Sequence, residues 1–366
     1  MRTIFINGRF ASQPTTGVQR VAKNLLRALD DHVADAGLQS ATRWVLLCPP
    51  GCPTDAFRAV EPRVVGRAGL PLHLWEQTVL PFAARGGLLL NLAGSAPRAA
   101  RRQVAMLHDA AVFDRPQAYT KPFVWWYRSL FRSLALHAGR LLTVSDFSRQ
   151  RLALQLGLDA CPLSVVPNGC DHLDAVAGDD SVLRELGLQP DRYFLAVSSS
   201  NANKNLAALV KAFGSMTAEP HLKLVIAGGH NERVFAASAA GGVDPPGVVR
   251  AGPVDDARLK ALYQHATALV FPSLYEGFGL PPLEAMACGC PVAAARAGAV
   301  PEVCGEAALY FDPTSTQEIA SAMTRLQQEP SLRLRLRQAG AARAGQFRWA
   351  ESARILHSLL QLEPTA

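Results

Sequence analysis

No stretch of the sequence reaches the roughly 18 consecutive apolar residues that suggest a membrane span, and residues 1–8 offer only a short apolar run without a signal-peptide cleavage pattern. A soluble or peripheral protein is expected. The seven cysteines are odd in number and form no Cys-x-x-Cys pair, so they cannot all be disulfide-bonded. A reducing cytoplasm is the simplest compartment. Lysine is scarce, with only six (positions 23, 121, 204, 211, 223 and 260), so the net charge of +7 rests on arginine. The arginines are scattered in short clusters, Arg101-Arg102 and the alternating Arg333, Arg335 and Arg337, which read as solvated faces. No nucleic-acid motif accompanies them, and DNA or RNA is not an expected partner. Internal repeats and low-complexity segments are also missing.

What is present is ordinary globular composition, 49% hydrophobic and 18% charged, in a chain of 366 residues. That length exceeds what one core usually supports, so two domains are expected. Apolar runs at 3–6, 44–48, 63–65, 88–92, 103–107, 141–144 and 163–166 read as strands, alternating with helical or turn-rich segments. Residues 18–29 place Val18, Val21, Leu25 and Leu29 on one helix face, and Ser145-Asp146-Phe147-Ser148 reads as a capped start to a helix over 149–156. Such alternation predicts an α/β fold with parallel sheets. Residues 171–191, with Asp179-Asp180 and poor apolar periodicity, read as a linker. A second series of strands and helices begins at 193–197 and continues through a strand at 222–227, a segment over 248–254 that leads into a helix at 255–265, and helices at 315–326 and 331–343. A last helix starts near Trp349, with Ala353, Leu356, Leu359 and Leu360 apolar.

Residues 120–140 predict an unusually aromatic helix, with Phe123, Trp126, Tyr127, Leu130 and Leu134 at helical spacing and Lys121, Arg128 and Arg132 beside them. Such a stripe is more often core; a basic, aromatic helix can instead lie on a membrane surface. Core is favoured, and the membrane reading stays open.

Residues 271–302 carry the most chemistry. The strand 268–271 runs into Pro272, Gly277, Gly279, Pro281 and Pro282, and a helix opens near Leu283. Gly277 and Gly279 leave room for a ligand close to the backbone at a helix N-terminus, which favours an anion such as phosphate. Glu276 and Glu284, eight positions apart, can accept hydrogen bonds from ligand hydroxyls. A polar loop, Ser198 to Asn205, follows the strand 193–197 and places Lys204 near a helix start, where hydroxyls, amides and an ammonium suit a diphosphate. His108-Asp109 directly follows the strand 103–107, where open α/β sheets present ligand-contacting residues.

The string Glu276-Gly277-Phe278-Gly279-Leu280-Pro281, with Glu284-Ala285 and Gly289-x-Pro291-Val292, closely resembles the donor-site signature of glycosyltransferase family 4. Thr16-Gly17-Val18-Gln19-Arg20 is similar to that family's acceptor-side loop, and the resemblance covers nearly the whole chain. It implies a GT-B architecture of two Rossmann-like domains facing across a cleft: an acceptor domain over 1–170, a donor domain over 171–346, and a C-terminal helix, 347–366, packing back on the first domain. It implies a retaining, metal-independent hexosyltransferase with no cofactor; an Asp-x-Asp triplet, the usual metal-binding feature of the other large glycosyltransferase fold, is absent. Catalysis falls to His108, Glu276 and Lys204. Donor binding falls to Ser199, Lys204, Gly252, Val254, Glu276, Gly277, Phe278, Gly279, Leu280 and Glu284, with Glu284 on the ribose, and Gly17 and Asp109 lie on the acceptor side.

The expected donor is a nucleoside diphosphate sugar, preferably GDP-mannose, and the acceptor a saccharide or lipid-linked saccharide of bacterial surface-polysaccharide biosynthesis. Peripheral association with the cytoplasmic face of the inner membrane goes with such an acceptor. One departure stands out. Many members carry an arginine beside or just before the lysine, whereas Asn203 precedes Lys204 and residues 198–202 hold no cation, so either Lys204 carries the phosphate charge alone or an arginine from elsewhere enters the site. The competing functions are a sugar-nucleotide epimerase of the same fold and a non-catalytic subunit of a polysaccharide-assembly complex.

Overall fold

Short apolar runs flanked by helices bury both faces, which suits parallel strands. In the computed structural model, which describes residues 2–38, 41–53, 56–158, 163–198, 201–216, 221–229 and 244–362, these runs form two parallel sheets. The chain divides into two compact units, the first comprising Met1–Ala110, Trp125–Gly169 and Arg348–Ala366, the second Ala111–Val124 and Cys170–Phe347.

The first unit holds β1 (Arg2–Asn7), β2 (Thr42–Cys48), β3 (Val60–Val64), β4 (Leu88–Asn91), β5 (Gln103–Met106), β6 (Arg140–Thr143) and β7 (Leu163–Val165). Their order is β3-β2-β1-β4-β5-β6-β7, every pairing parallel. Central strands β4 and β5 are buried throughout, while β3 at the edge exposes Glu61, Pro62 and Val64. The helix Gly17–Asp35 buries Val21, Leu25, Leu29 and Val33 and packs against the chain's last helix, Trp349–Gln361. The His32 and His357 rings meet there, centroids 5.1 Å apart. Gly169 permits the close approach of that last segment, since a Cβ at 169 would lie 2.3 Å from the Trp349 amide nitrogen.

The chain order reverses between β1 and β4, and the loops leaving these strands meet Glu76 of the helix Leu72–Thr78 in a buried polar network. Asn7 donates to Glu76 Oε1 at 2.8 Å and to Asn91 Oδ1 at 3.0 Å. Arg9 Nη1 donates to Glu76 Oε2 at 2.9 Å and to Ser95 Oγ at 2.6 Å, and Ser95 donates to Glu76 Oε1 at 2.6 Å. The Arg9 and Glu76 side chains are 7% and 1% exposed, so each charge depends on the other for solvation.

The second unit holds β8 (Tyr193–Val197), β9 (Lys223–Ala227), β10 (Val248–Gly252), β11 (Ala268–Phe271), β12 (Val292–Ala295) and β13 (Leu309–Phe311). Their order, β10-β9-β8-β11-β12-β13, is again wholly parallel. Phe194, Leu209, Leu224, Val270, Ile319 and Met323 are central to its core.

Three expectations are corrected. Residues 111–124, placed in the first domain by sequence, group with the second unit, because Asp114 and Arg115 hydrogen-bond to its loops. Residues 171–191 are no linker. They contain a 3-10 turn, Asp171–Leu173, and a helix, Ser181–Glu185, and they bury Leu173 and Val182 while the Asp179 amide donates to the Ala257 carbonyl at 3.0 Å. Their few apolar residues are anchors, too widely spaced to register as periodicity. The helix expected near Leu283 begins at Leu280, since Pro281 and Pro282 occupy its first turn, where a missing N–H costs nothing. In the aromatic helix, Lys121–His137, Leu130 and Leu134 are buried and Trp126 and Tyr127 half-buried, while Trp125 and Leu136 stand off that stripe, 71% and 79% exposed.

Glu76→Ala leaves the Arg9 guanidinium buried without its carboxylate and is expected to lower stability by about 3–5 kcal/mol in chemical denaturation. A loss under about 1 kcal/mol, the range of exposed ion pairs, would show that the network is not structural.

Candidate nucleotide-sugar site

In an open α/β sheet, ligands bind outside the carboxyl ends of the strands where the strand order reverses. In the second unit that point lies between β8 and β11, and the loops that leave these two strands carry Lys204 and Glu276. Lys204 Nζ sits 2.7 Å from Glu276 Oε1, and 5.6 Å from the centroid of the Phe271 ring at the end of β11. Both side chains keep access to solvent, at 21% and 14% exposure. An ammonium held but not sealed can exchange its carboxylate for an incoming anion.

Alternating asparagines place this lysine. Asn201 accepts from the Asn203 amide at 2.9 Å and caps the 3-10 turn Ala202–Lys204. The backbone carbonyl of the buried Asn203 accepts from the Leu274 amide at 2.7 Å, tying the two loops together. Asn205, in the left-handed region with φ +54°, donates to the Pro272 and Pro313 carbonyls at 3.3 and 2.7 Å. Its conformation ends the turn and starts the helix Leu206–Ser215.

Glu276 is fixed through its backbone. Its carbonyl accepts from the Ala299 amide at 3.0 Å, and Gly298 (φ +61°) crosses so close that a Cβ there would lie 2.7 Å from the Glu276 nitrogen and oxygen. Gly279 is the residue before the helix Leu280–Ala287. Phe278 and Leu280 are buried, Phe278 edge-to-face with Phe347 at 5.8 Å, so these two positions can offer a ligand backbone groups but little side chain. Glu284, on the same helix, is 3% exposed: Tyr263 donates to its Oε2 at 3.0 Å, and His172 Nε2 lies 3.1 Å from its Oε1. Gly252 ends β10, with Val254 two residues beyond, and its carbonyl accepts from the Gly228 amide at 2.8 Å. Ser199 lies outside the described residues. Sequence reasoning missed Tyr263 and His172, whose pairing with Glu284 had no local signal, and the Asn201, Asn203, Asn205 alternation, which was visible.

In the first unit, His108 follows β5. Its Nε2 donates to the Leu92 carbonyl at 2.9 Å, which leaves Nδ1 as an acceptor in the neutral ring. Burial pushes its pKa down to about 4, partly opposed by the Leu92 hydrogen bond. The ring is therefore neutral near pH 7 and can accept a hydroxyl proton in a hydrogen bond. Gly94 approaches the ring to 3.6 Å from its built Cβ position, Asp109 is half-buried, and Gly17 opens the helix Gly17–Asp35 beside open space. Among the described residues, no group of three or more His, Cys, Asp or Glu side chains could hold a metal ion, and no helix is long and apolar enough to cross a membrane.

Two doubly wound parallel units, with a lysine and a carboxylate at the reversal point of the second, define an α/β protein of the two-unit kind. Comparison with known proteins makes this specific. A family described as "Glycosyltransferase Family 4" matches residues 15–172, and one described as "Glycosyl transferases group 1" matches residues 182–343. The O-antigen chain mannosyltransferase B of Escherichia coli is 32% identical over 261 residues, 69% of this chain and 68% of its own length. Among solved structures, the sucrose-phosphate synthase of Thermosynechococcus elongatus matches 99% of this chain and 98% of its own with a TM-score of 0.74 at 19% identity. HepE of Anabaena, solved with UDP-glucose, matches 99% of each chain with a TM-score of 0.70 at 18% identity. At such identities these structures speak to the fold alone. The chain belongs to glycosyltransferase family 4 and has the GT-B fold.

A histidine held neutral by burial makes stability depend on pH. Its folded pKa, about 4, lies below the ordinary 6.5, so the unfolded chain takes up the proton first and stability is lost as pH falls from about 6.5 towards 4. His73 and His357 are shifted the same way by burial and add to the slope. His108→Gln is expected to flatten the fall in melting temperature between pH 7 and pH 5. An unchanged slope would place the His108 ring in solvent.

Proposed function

We propose that the protein transfers a mannosyl unit from GDP-mannose to a hydroxyl of a saccharide or lipid-linked saccharide acceptor, with retention of anomeric configuration, in the assembly of a surface polysaccharide. The observation that carries the reading is the Lys204–Glu276 pair at the β8/β11 reversal, a cation and a carboxylate at one point. The similarity to an O-antigen mannosyltransferase favours mannose among the hexoses. A cytoplasmic site of action, peripheral to the membrane where the acceptor is lipid-linked, is part of the proposal.

Transfer breaks the bond from the anomeric carbon to the phosphate oxygen and forms one to the acceptor oxygen, whose proton passes to the departing diphosphate. Negative charge grows on the terminal phosphate as this happens. Lys204 and the backbone N–H groups ahead of the helix Leu280–Ala287 stabilise that charge more in the transition state than before it, which is what raises a rate. In this role they take the place of a metal ion. Glu276 accepts from donor-sugar hydroxyls, Glu284 from the ribose, and the backbone near Gly252 and Val254 holds the base. His108, through its Nδ1, accepts a hydrogen bond from a sugar hydroxyl.

Thermal-shift screening against nucleotide sugars is the primary test, because a ligand that binds only the folded chain raises its melting temperature. GDP-mannose is expected to give the largest shift, and transfer to be insensitive to a chelator. Lys204→Ala is expected to lower kcat by about 10²–10³-fold. Isomerisation of the donor without acceptor would instead identify an epimerase, and no response to any nucleotide would identify a non-catalytic subunit.

A further inference from the structure

The charges at the reversal point do not suffice for a diphosphate. A nucleoside diphosphate sugar brings two negative charges and gains another as the sugar leaves. Lys204 is already matched, one to one, by Glu276, and residues 198–203 contribute no other cation. The pair as it stands is neutral, and a neutral pair is a poor trap for a dianion.

A second cation stands next to it. The segment Ala111–Val124 belongs with the donor-binding unit although it precedes that unit's first strand by some 70 residues. Two consecutive side chains hold it there. Tyr275 donates its hydroxyl proton to Asp114 Oδ2 at 2.9 Å, and Arg115 Nε donates to Asn203 Oδ1 at 3.3 Å. Tyr275 is the residue before Glu276, and Asn203 is the residue before Lys204, so one dipeptide grips the immediate neighbours of both members of the ion pair. The grip on Arg115 uses only Nε. Among the described residues its two terminal nitrogens make no hydrogen bond, and the side chain is half-buried rather than spread in solvent. A guanidinium oriented at one edge with its fork unspent is suited to bind two oxygens of a phosphate.

We propose that Arg115 is the second cation of the diphosphate site. The inference rests on the reading of this unit as the nucleotide-sugar site. Asn203 orients the guanidinium, Lys204 and Arg115 flank the same phosphate, and Asp114 with Tyr275 sets the depth at which the segment docks. On this account Arg115 is a binding residue for the leaving group, drawn from a segment far away in sequence.

Calorimetric titration of the full chain with GDP and with GMP separates this role from a structural one, because only the diphosphate offers the terminal phosphate. Arg115→Gln is expected to weaken GDP roughly 10- to 100-fold, the effect of losing one charge-assisted hydrogen-bonded contact, and to leave GMP within about twofold. Arg115→Lys, which keeps the charge without the fork, is expected to recover part of the loss. Tyr275→Phe, which keeps the guanidinium, is expected to weaken GDP less than Arg115→Gln does. Equal weakening of GDP and GMP by Arg115→Gln, or none for GDP, would overturn the proposal; should that variant not fold, Arg115→Lys binding GDP as tightly as the unaltered chain, or losing GDP and GMP alike, would overturn it. If the unaltered chain binds no nucleoside diphosphate, including UDP, the site reading itself fails and takes the inference with it.

Discussion

The ion pair between Lys204 and Glu276 is the constraint from which the proposed site of the second unit follows. It exists because the strand order reverses between β8 and β11, so that two loops leaving adjacent strands in opposite senses meet at their starts. Everything around it serves to keep a flexible lysine and a flexible glutamate at 2.7 Å while leaving both reachable. Asn201, Asn203 and Asn205 fix one loop, the contact of Gly298 with the Glu276 backbone fixes the other, and the Asn203 carbonyl to Leu274 amide bond joins them. Preorganisation of this kind lets charge develop on a leaving group without the surroundings having to move.

The first unit repeats the topology and also places a charge pair at its reversal point, Arg9 with Glu76. There the outcome is opposite. Asn7, Asn91 and Ser95 complete the hydrogen bonds of the carboxylate and its loops, and the pair is sealed at 7% and 1% exposure, against 21% and 14% for Lys204 and Glu276. A sealed pair cannot give up a partner without leaving a bare charge in the interior. The same topology therefore yields a sealed ion pair in one unit and a solvent-accessible one in the other, and the difference is one of solvent access.

Much of this was legible in the sequence where the signal was local. The strands β1, β2, β4, β5, β6, β8, β9 and β11 follow from apolar runs, and the turn from Glu276 to the helix Leu280–Ala287 follows from its glycines and prolines. Glu276 and Lys204 stand out in the sequence as candidate site residues, but their direct pairing, across 72 positions, was not foreseen, because periodicity carries no information about which loops meet. The same limit hid Arg9 with Glu76 and Tyr263 with Glu284. It also hid the docking of residues 111–124: Asp114 and Arg115 read as ordinary polar loop residues until their partners Tyr275 and Asn203 are known. Residues 171–191 misled for a related reason, since a segment anchored by isolated leucines and valines has no period to detect.

If Glu276 holds the lysine in reserve and releases it to phosphate, removing the carboxylate's charge has opposite effects on two measurable quantities. The direct test is calorimetric binding of GDP, which lacks the sugar, to Glu276→Gln. The account predicts that GDP binds this variant more tightly than the unaltered chain while mannosyl transfer from GDP-mannose falls, because Lys204 is freed but the sugar loses its acceptor of hydrogen bonds. Weaker or unchanged GDP binding in Glu276→Gln would contradict the claim that the ion pair and the diphosphate compete for one lysine.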